Sequence, residues 1–238
     1  MLADISIPSQ AGAIGRDILL PETARYELID FIAAELPRWR DHPDRHPASA
    51  ETTLTSQLCD HLNGAAYYST TWSHVQFRTE VPDEVASSRK IDLAAKPLGA
   101  SLVIEGRRHS QFDTLLPIEC KRLPTPQEKD RDEREYVTSE HGTTGGIQRF
   151  KHGLHGAAHR LGAMIGYVQD QTCSYWLGRV NFWIGSLAEA DSSWTDADIL
   201  QPLYDDSAAG LCVLRSQHRR DGDLEDCELR HVWIRMAN

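Results

Sequence analysis

The sequence predicts an α/β domain: a central mixed β-sheet flanked by helices, in the order helix, three strands, helix, strand, with an N-terminal helical extension and a C-terminal antiparallel strand pair. Three observations carry this reading. Apolar residues recur at helical spacing in residues 21–36, 50–63 and 147–161, while the runs between them are short and rich in β-branched and aromatic residues. With 238 residues and 40% hydrophobic content, the chain can bury one proper core but not comfortably two. Residues 1–48 are therefore read as the helical extension and 49–238 as the main domain.

The elements follow in order. PETARYELIDFIAAEL, residues 21–36, is an amphipathic helix with Pro21 near its start and Pro37 at its end. RDHPDRHPASA then reads as a loop. In ETTLTSQLCDHLN, Leu54, Leu58 and Leu62 fall on one face, and Asn63-Gly64 supplies a stop. HVQFRTEV and RKIDLAAK are strands, and SLVIEGRRHSQFDTLLPIECKRL reads as a strand, a polar turn over Gly106 to Ser110 and a further strand carrying Glu119. Residues 124–146 are polar and read as a long surface loop. A helix is expected over Ile147 to Leu161, then the strand AMIGYV. NFWIGSLAEA fits either state, and LCVLRSQ with CELRHVWIRM closes the chain as a pair joined through Asp221-Gly222-Asp223.

Charge narrows the function. A formal net charge of −10 argues against a whole surface that grips nucleic acid, because phosphate binding draws on clustered Lys and Arg. A local basic groove is still compatible: residues 141–169 contain no Asp or Glu but carry Arg149, Lys151, Arg160 and four histidines. MLADISIPSQ is unlike a secretory leader and no apolar run is long enough to span a bilayer, so a soluble, cytoplasmic protein without membrane contact is expected. The five cysteines are scattered and form no CxxC, which predicts reduced, mostly buried thiols.

The chemistry concentrates in PIECKRL, residues 117–123. In a strand, Glu119 and Lys121 face one way while Ile118 and Cys120 face the other. Asp92 in KIDLA places a second acid on the preceding strand, opposite to Ile91 and Leu93. Two carboxylates on neighbouring strands repel unless a cation lies between them, and oxygen donors of this kind suit Mg²⁺ or Mn²⁺. Glu51 falls within the Leu54, Leu58 and Leu62 stripe, which points it inward, although an acid in a first helical turn is also favoured by the helix dipole. On the 147–161 helix, Gln148, His152, His155 and His159 form a polar face opposite Ile147, Phe150 and Leu154. Three histidines at such spacing suit zinc, but a solvated or nucleic-acid-facing stripe is the simpler reading without a nearby acid or cysteine.

An acid on one strand and E-x-K on the next, between two helices, resembles the PD-(D/E)xK nuclease superfamily, with its restriction-endonuclease-like fold; the matching residues are Asp92, Glu119 and Lys121. Ile91 stands where the family's name has proline, and the gap between Asp92 and Glu119 is wide, which makes Asp113 a rival to Asp92. The resemblance implies an αβββαβ core and a Mg²⁺-dependent (or Mn²⁺-dependent) deoxyribonuclease in which Asp92, Glu119 and Glu51 bind metal. Lys121 would orient water and Gln148 assist, with Arg149, Lys151 and His152 on the DNA and the GTTGG loop lending backbone amides to a phosphate. It further implies selection by a protein partner or by homo-oligomerisation, as in a bacterial defence or DNA-processing assembly. The alternatives are an inactive nuclease-like binding module and an RNA nuclease.

Overall fold

A computed structural model describes residues 17–126, 132–139 and 145–236. In chain order the elements are β1 (Ile18–Leu19), α1 (Ala24–Arg40), α2 (Glu51–Tyr68), β2 (Val75–Pro82), β3 (Lys90–Pro97), β4 (Leu102–Ile104), β5 (Arg107–His109) and β6 (Leu116–Leu123). There follow α3 (Gly146–Lys151), β7 (Leu161–Val168), α4 (Cys173–Ala190), a 3-10 turn (Asp196–Asp198), β8 (Gln201–Asp206), β9 (Leu211–His218) and β10 (Cys227–Arg235). Seven strands make one mixed sheet in the order β2-β3-β6-β7-β10-β9-β8, and β1, β4 and β5 make a small separate sheet.

The middle of the large sheet is parallel, β6 with β7 and β7 with β10, and the flanks are antiparallel. All eight residues of β7 are buried, as a parallel strand covered on both faces requires. One face packs α1 and α2 through Leu28, Ile32, Leu36, Leu54, Leu58 and Leu62 against Ile118, Cys120, Ile165 and Ile234. Because α1 shares this core with α2, it is an integral layer of the sheet's cover. The other face packs the α4 residues Trp176, Val180, Trp183 and Ile184 around Met164, Val168 and Trp233. The general α/β class is as expected, and β9 and β10 form the expected antiparallel pair.

Several boundaries move, each for a local reason. Pro37 does not end α1, which continues to Arg40 because Trp39 is buried and packs on Tyr167 at a ring distance of 5.7 Å. Asn63-Gly64 does not end α2 either: Asn63 instead pairs with the β2 backbone at Phe77, donating to its carbonyl at 3.0 Å and accepting from its N–H at 2.8 Å. The excursion after β3 forms a tight β4–β5 hairpin whose turn residues Glu105 and Gly106 both have positive φ, the conformation that a two-residue hairpin demands.

The largest correction concerns the helix expected over 147–161. α3 has six residues and stops at Lys151. Gly153 and Gly156 take φ of 62° and 60°, which turns HGLHG into loop and breaks the face that was to carry His152, His155 and His159. NFWIGSLAEA resolves as the second half of α4. The 124–146 loop is described only at 124–126, 132–139 and 145–146; the remainder, including part of the acidic run 128–135, lies outside the described residues.

Glycine at 145 is required by close packing. A Cβ there would stand 2.3 Å from the Thr138 Cα, and one on Gly146 would stand 2.8 Å from the Tyr136 carbonyl oxygen. The end of GTTGG is thus explained by a backbone approach that seats α3 against 136–139. Gly145→Ala is expected to lower the unfolding free energy by about 2 kcal/mol, seen as a lower urea midpoint at unchanged slope.

Candidate functional site

The site grows out of an incomplete strand ladder. β3 pairs with β6 only at Leu93 with Ile118, Ala94 with Pro117 and Ala95 with Leu116. Further along β6, the backbone N–H groups on that edge find carboxylates instead of a strand: Cys120 donates to Asp92 Oδ2 at 2.9 Å, and Arg122 to Glu51 Oε2 at 3.1 Å. The opposite edge of β6 stays paired with β7 from Ile118 to Leu123. Buried backbone donors need partners, so the two acids are fixed by the fold's own hydrogen-bond requirement.

Both acids, with Glu119, then converge on one amine. Lys121 Nζ lies 2.8 Å from Glu119 Oε1, 3.5 Å from Glu51 Oε1 and 3.8 Å from Asp92 Oδ2. Glu119 is fully buried and also accepts from Arg149 Nη1 at 2.5 Å and from His155 Nδ1 at 3.1 Å. Glu51 and Asp92 keep 20% and 23% of their side chains exposed and border a cleft of about 140 Å³ with Thr52, Ser56 and Thr79. The site therefore opens on the Glu51 and Asp92 side and is closed behind Glu119. Glu80, across β2 from Asp92, also borders this cleft and holds a φ of 54°, a conformation that costs a non-glycine residue energy and is often found at working sites.

The charges are unequally served. Burial and the neighbouring Glu119 push the Asp92 carboxyl up to about 7, outweighing Lys121 and the Cys120 N–H. Burial would also raise Glu119, but Lys121, the His155 hydrogen bond and Arg149 hold it well below the usual carboxylate range. Burial opposes the charge on Lys121, yet Glu119, Asp92 and Glu51 together raise its pKa. Lys121 and Arg149 are both drawn to Glu119, and Asp92 carries the deficit.

That imbalance is the fit test for a divalent cation. The donors are all hard oxygens, they come from three elements and they already share one cation, which is the chemistry Mg²⁺ or Mn²⁺ selects. Glu51 gives Oε2 to the Arg122 amide and Oε1 to Lys121, Asp92 offers the same Oδ2 to the Cys120 amide and to Lys121, and Glu119 arrives through its Oε1. Glu51, Asp92 and Glu119 are the residues that would hold such an ion.

The other expected residues separate. Asp113 caps a turn, accepting from the Ser110 N–H at 2.7 Å and its hydroxyl at 2.9 Å, whereas Asp92 is the acid beside Lys121. Gln148 accepts from the Ser139 N–H at 3.3 Å. Lys151, expected on nucleic acid, is buried and ion-paired with Asp198 at 2.8 Å, so it has no surface to offer a phosphate. His152 is exposed. His159 pairs with Glu84 at 2.9 Å, in a loop contact that also ties the Gly156 N–H to Asp83. Among the described residues no group of three or more His, Cys, Asp or Glu could hold a metal ion, zinc included, as the side chains stand. Cys120 faces the core and burial pushes its thiol well up, which removes it as a nucleophile.

Sequence reasoning missed His155 and the pairing of Arg149 with Glu119. The signal was the glycine in HGLHG, which marks a chain reversal able to return a histidine towards β6.

Asp92 makes a pH prediction. Its unfolded value is near 3.8 and its folded value about 7, so the folded state binds the proton more tightly and this group's contribution to stability falls as pH rises from about 4 to 7. Asp92→Asn is expected to stabilise the protein by about 1–2 kcal/mol at pH 8 and to give no gain near pH 4, read from urea unfolding at both.

Comparison of the chain with protein-family models, with curated proteins and with solved structures finds no match to any of them.

Proposed function

We propose that the protein is a divalent-metal-dependent phosphodiesterase acting on DNA, in the manner of the nucleases it resembles at Asp92, Glu119 and Lys121. The observation that carries this reading is the convergence of Glu51, Asp92 and Glu119 on the Lys121 ammonium beside a cleft bordered by Glu51 and Asp92. A bound Mg²⁺ would supply Lewis-acid stabilisation of the phosphoryl oxygens and a water of lowered pKa.

The chain's own residues do the rest. Asp92 and Glu51 stand at the cleft, and hydrogen bonds from the Cys120 and Arg122 amides anchor them to β6 and keep their geometry fixed. Lys121, when a stronger cation relieves it of the carboxylates, is placed to hold the attacking water or to offset charge growing on the phosphate. Arg149 and His155 keep Glu119 ionised in a dry position. With the acidic overall charge and Lys151 engaged internally, DNA contact would fall to Arg149 beside Glu119 and to the exposed His152, and selection to a partner protein or a second copy.

One observation favours a second reading. Glu119 is fully buried and already neutralised by Lys121, Arg149 and His155, an arrangement that a purely structural ion cluster in an inactive binding module would also show.

Incubation with DNA and with RNA of one sequence, in Mn²⁺ against EDTA, separates the readings. Metal-dependent cutting of DNA is the expected result, and no cutting with no Mn²⁺-dependent rise in melting temperature sinks the proposal. Asp92→Asn should lower the cleavage rate on the order of 10²–10³-fold and lose the Mn²⁺-induced thermal shift while remaining folded. Lys121→Met leaves three acids without their amine, and should destabilise the metal-free protein by about 3 kcal/mol, partly restored by Mn²⁺ in a urea titration.

A further inference from the structure

We infer that Asp198 is a positioning residue for Arg149, acting at the end of a buried hydrogen-bonded chain that runs in one direction from the Trp233 indole to the Asp198 carboxylate. The links are Trp233 Nε1 to Tyr136 Oη at 2.7 Å, Tyr136 Oη to His231 Nδ1 at 2.8 Å, His231 Nε2 to Ser216 Oγ at 2.8 Å, Ser216 Oγ to His218 Nε2 at 2.6 Å and His218 Nδ1 to Asp198 Oδ1 at 2.5 Å. All six side chains are at most 2% exposed.

The two ends settle every proton between them. An indole N–H can only donate, so the Tyr136 oxygen accepts and its single proton passes to His231 Nδ1. His231 therefore carries its hydrogen on Nε2 and donates to Ser216, whose proton goes to His218 Nε2. His218 is left with hydrogen on Nδ1, facing a carboxylate that can only accept while ionised. Burial holds both imidazoles below the ordinary histidine value, and although burial opposes it, His218 and Lys151 keep Asp198 in its charged form. Asp198, His218 and Ser216 share the connectivity of a nucleophilic triad, but the Ser216 hydroxyl is held by an imidazole on each side and sealed from solvent.

The chain grips α3 at both ends. Asp198 takes the Lys151 ammonium at 2.8 and 3.1 Å, on the last residue of the helix. At the first turn, the Ile147 N–H donates to the Tyr136 carbonyl at 3.1 Å, flanked by Gly146 on Glu135 and Gln148 on Val137. Arg149 lies between these grips and reaches Glu119. The proton assignment stands on the chain's geometry with both imidazoles neutral; its consequence for catalysis rests on the metal-site reading.

The test uses the full chain labelled with ¹⁵N at histidine and arginine, read by long-range proton–nitrogen spectra. The wild type should show two neutral imidazoles, His218 protonated at Nδ1 and His231 at Nε2; either histidine charged or in the other tautomer overturns the inference. In Asp198→Asn the Thr195 N–H, a donor only, holds the amide oxygen at the Oδ2 position, which turns the NH₂ towards His218 and should switch both tautomers and shift the Arg149 Nε signal. A folded variant with unchanged tautomers overturns the chain, and switched tautomers with an unmoved Arg149 overturn the positioning role. Should Asp198→Asn fail to fold, Ser216→Ala decides: His218 keeps its Nδ1 proton on Asp198 while His231 becomes a tautomer mixture, and an unaltered His231 overturns the chain. Cleavage by the wild type, assayed separately, bears on the nuclease reading and leaves these spectra untouched.

Discussion

The arrangement depends on a pairing that β3 and β6 do not complete. Were the ladder to continue past Leu93 and Ile118, the backbone N–H groups of Cys120 and Arg122 would be spent on a neighbouring strand. Because it stops, Asp92 and Glu51 serve those donors. Two acids from separate elements are thereby fixed at the edge of a strand that itself carries an acid and an amine. The hydrogen-bond demand of one short stretch of backbone places the charges, and their mutual repulsion raises the Asp92 carboxyl.

The second layer of the argument concerns support. Glu119 lies too deep to be held by solvent, so its ionisation rests on Lys121, Arg149 and His155. Arg149 rides on a helix of six residues, too short to hold its place by its own hydrogen bonds. α3 is seated instead by close glycine packing at one end and the Lys151 to Asp198 pair at the other. Behind that pair, the polar groups of β9, β10 and residue 136 are satisfied within a dry interior, which makes them selective for one geometry. A strained Glu80 on the cleft wall is consistent with a region shaped for a task beyond packing.

Much was legible in the chain because it is local. The alternation that set Glu119 and Lys121 apart from Ile118 and Cys120 is a property of any strand, and the stripe that turned Glu51 inward is a property of any helix. The same rule misled at 147–161, where apolar spacing was real but two glycines with positive φ overrode it. Lys151 looked like a phosphate ligand because its buried partner lies 47 positions away, beyond any local pattern.

The sequence by itself determined the alternating strands, the amphipathic helices, the type of chemistry available at 92, 119 and 121, and the absence of a long apolar helix among the described residues. Only the tertiary structure decided between Asp92 and Asp113, recruited Arg149 and His155 to Glu119, and withdrew Lys151 into the core. The physical reason is that a side chain's direction follows from its own backbone, whereas the partner it meets depends on which distant segment the sheet order brings alongside.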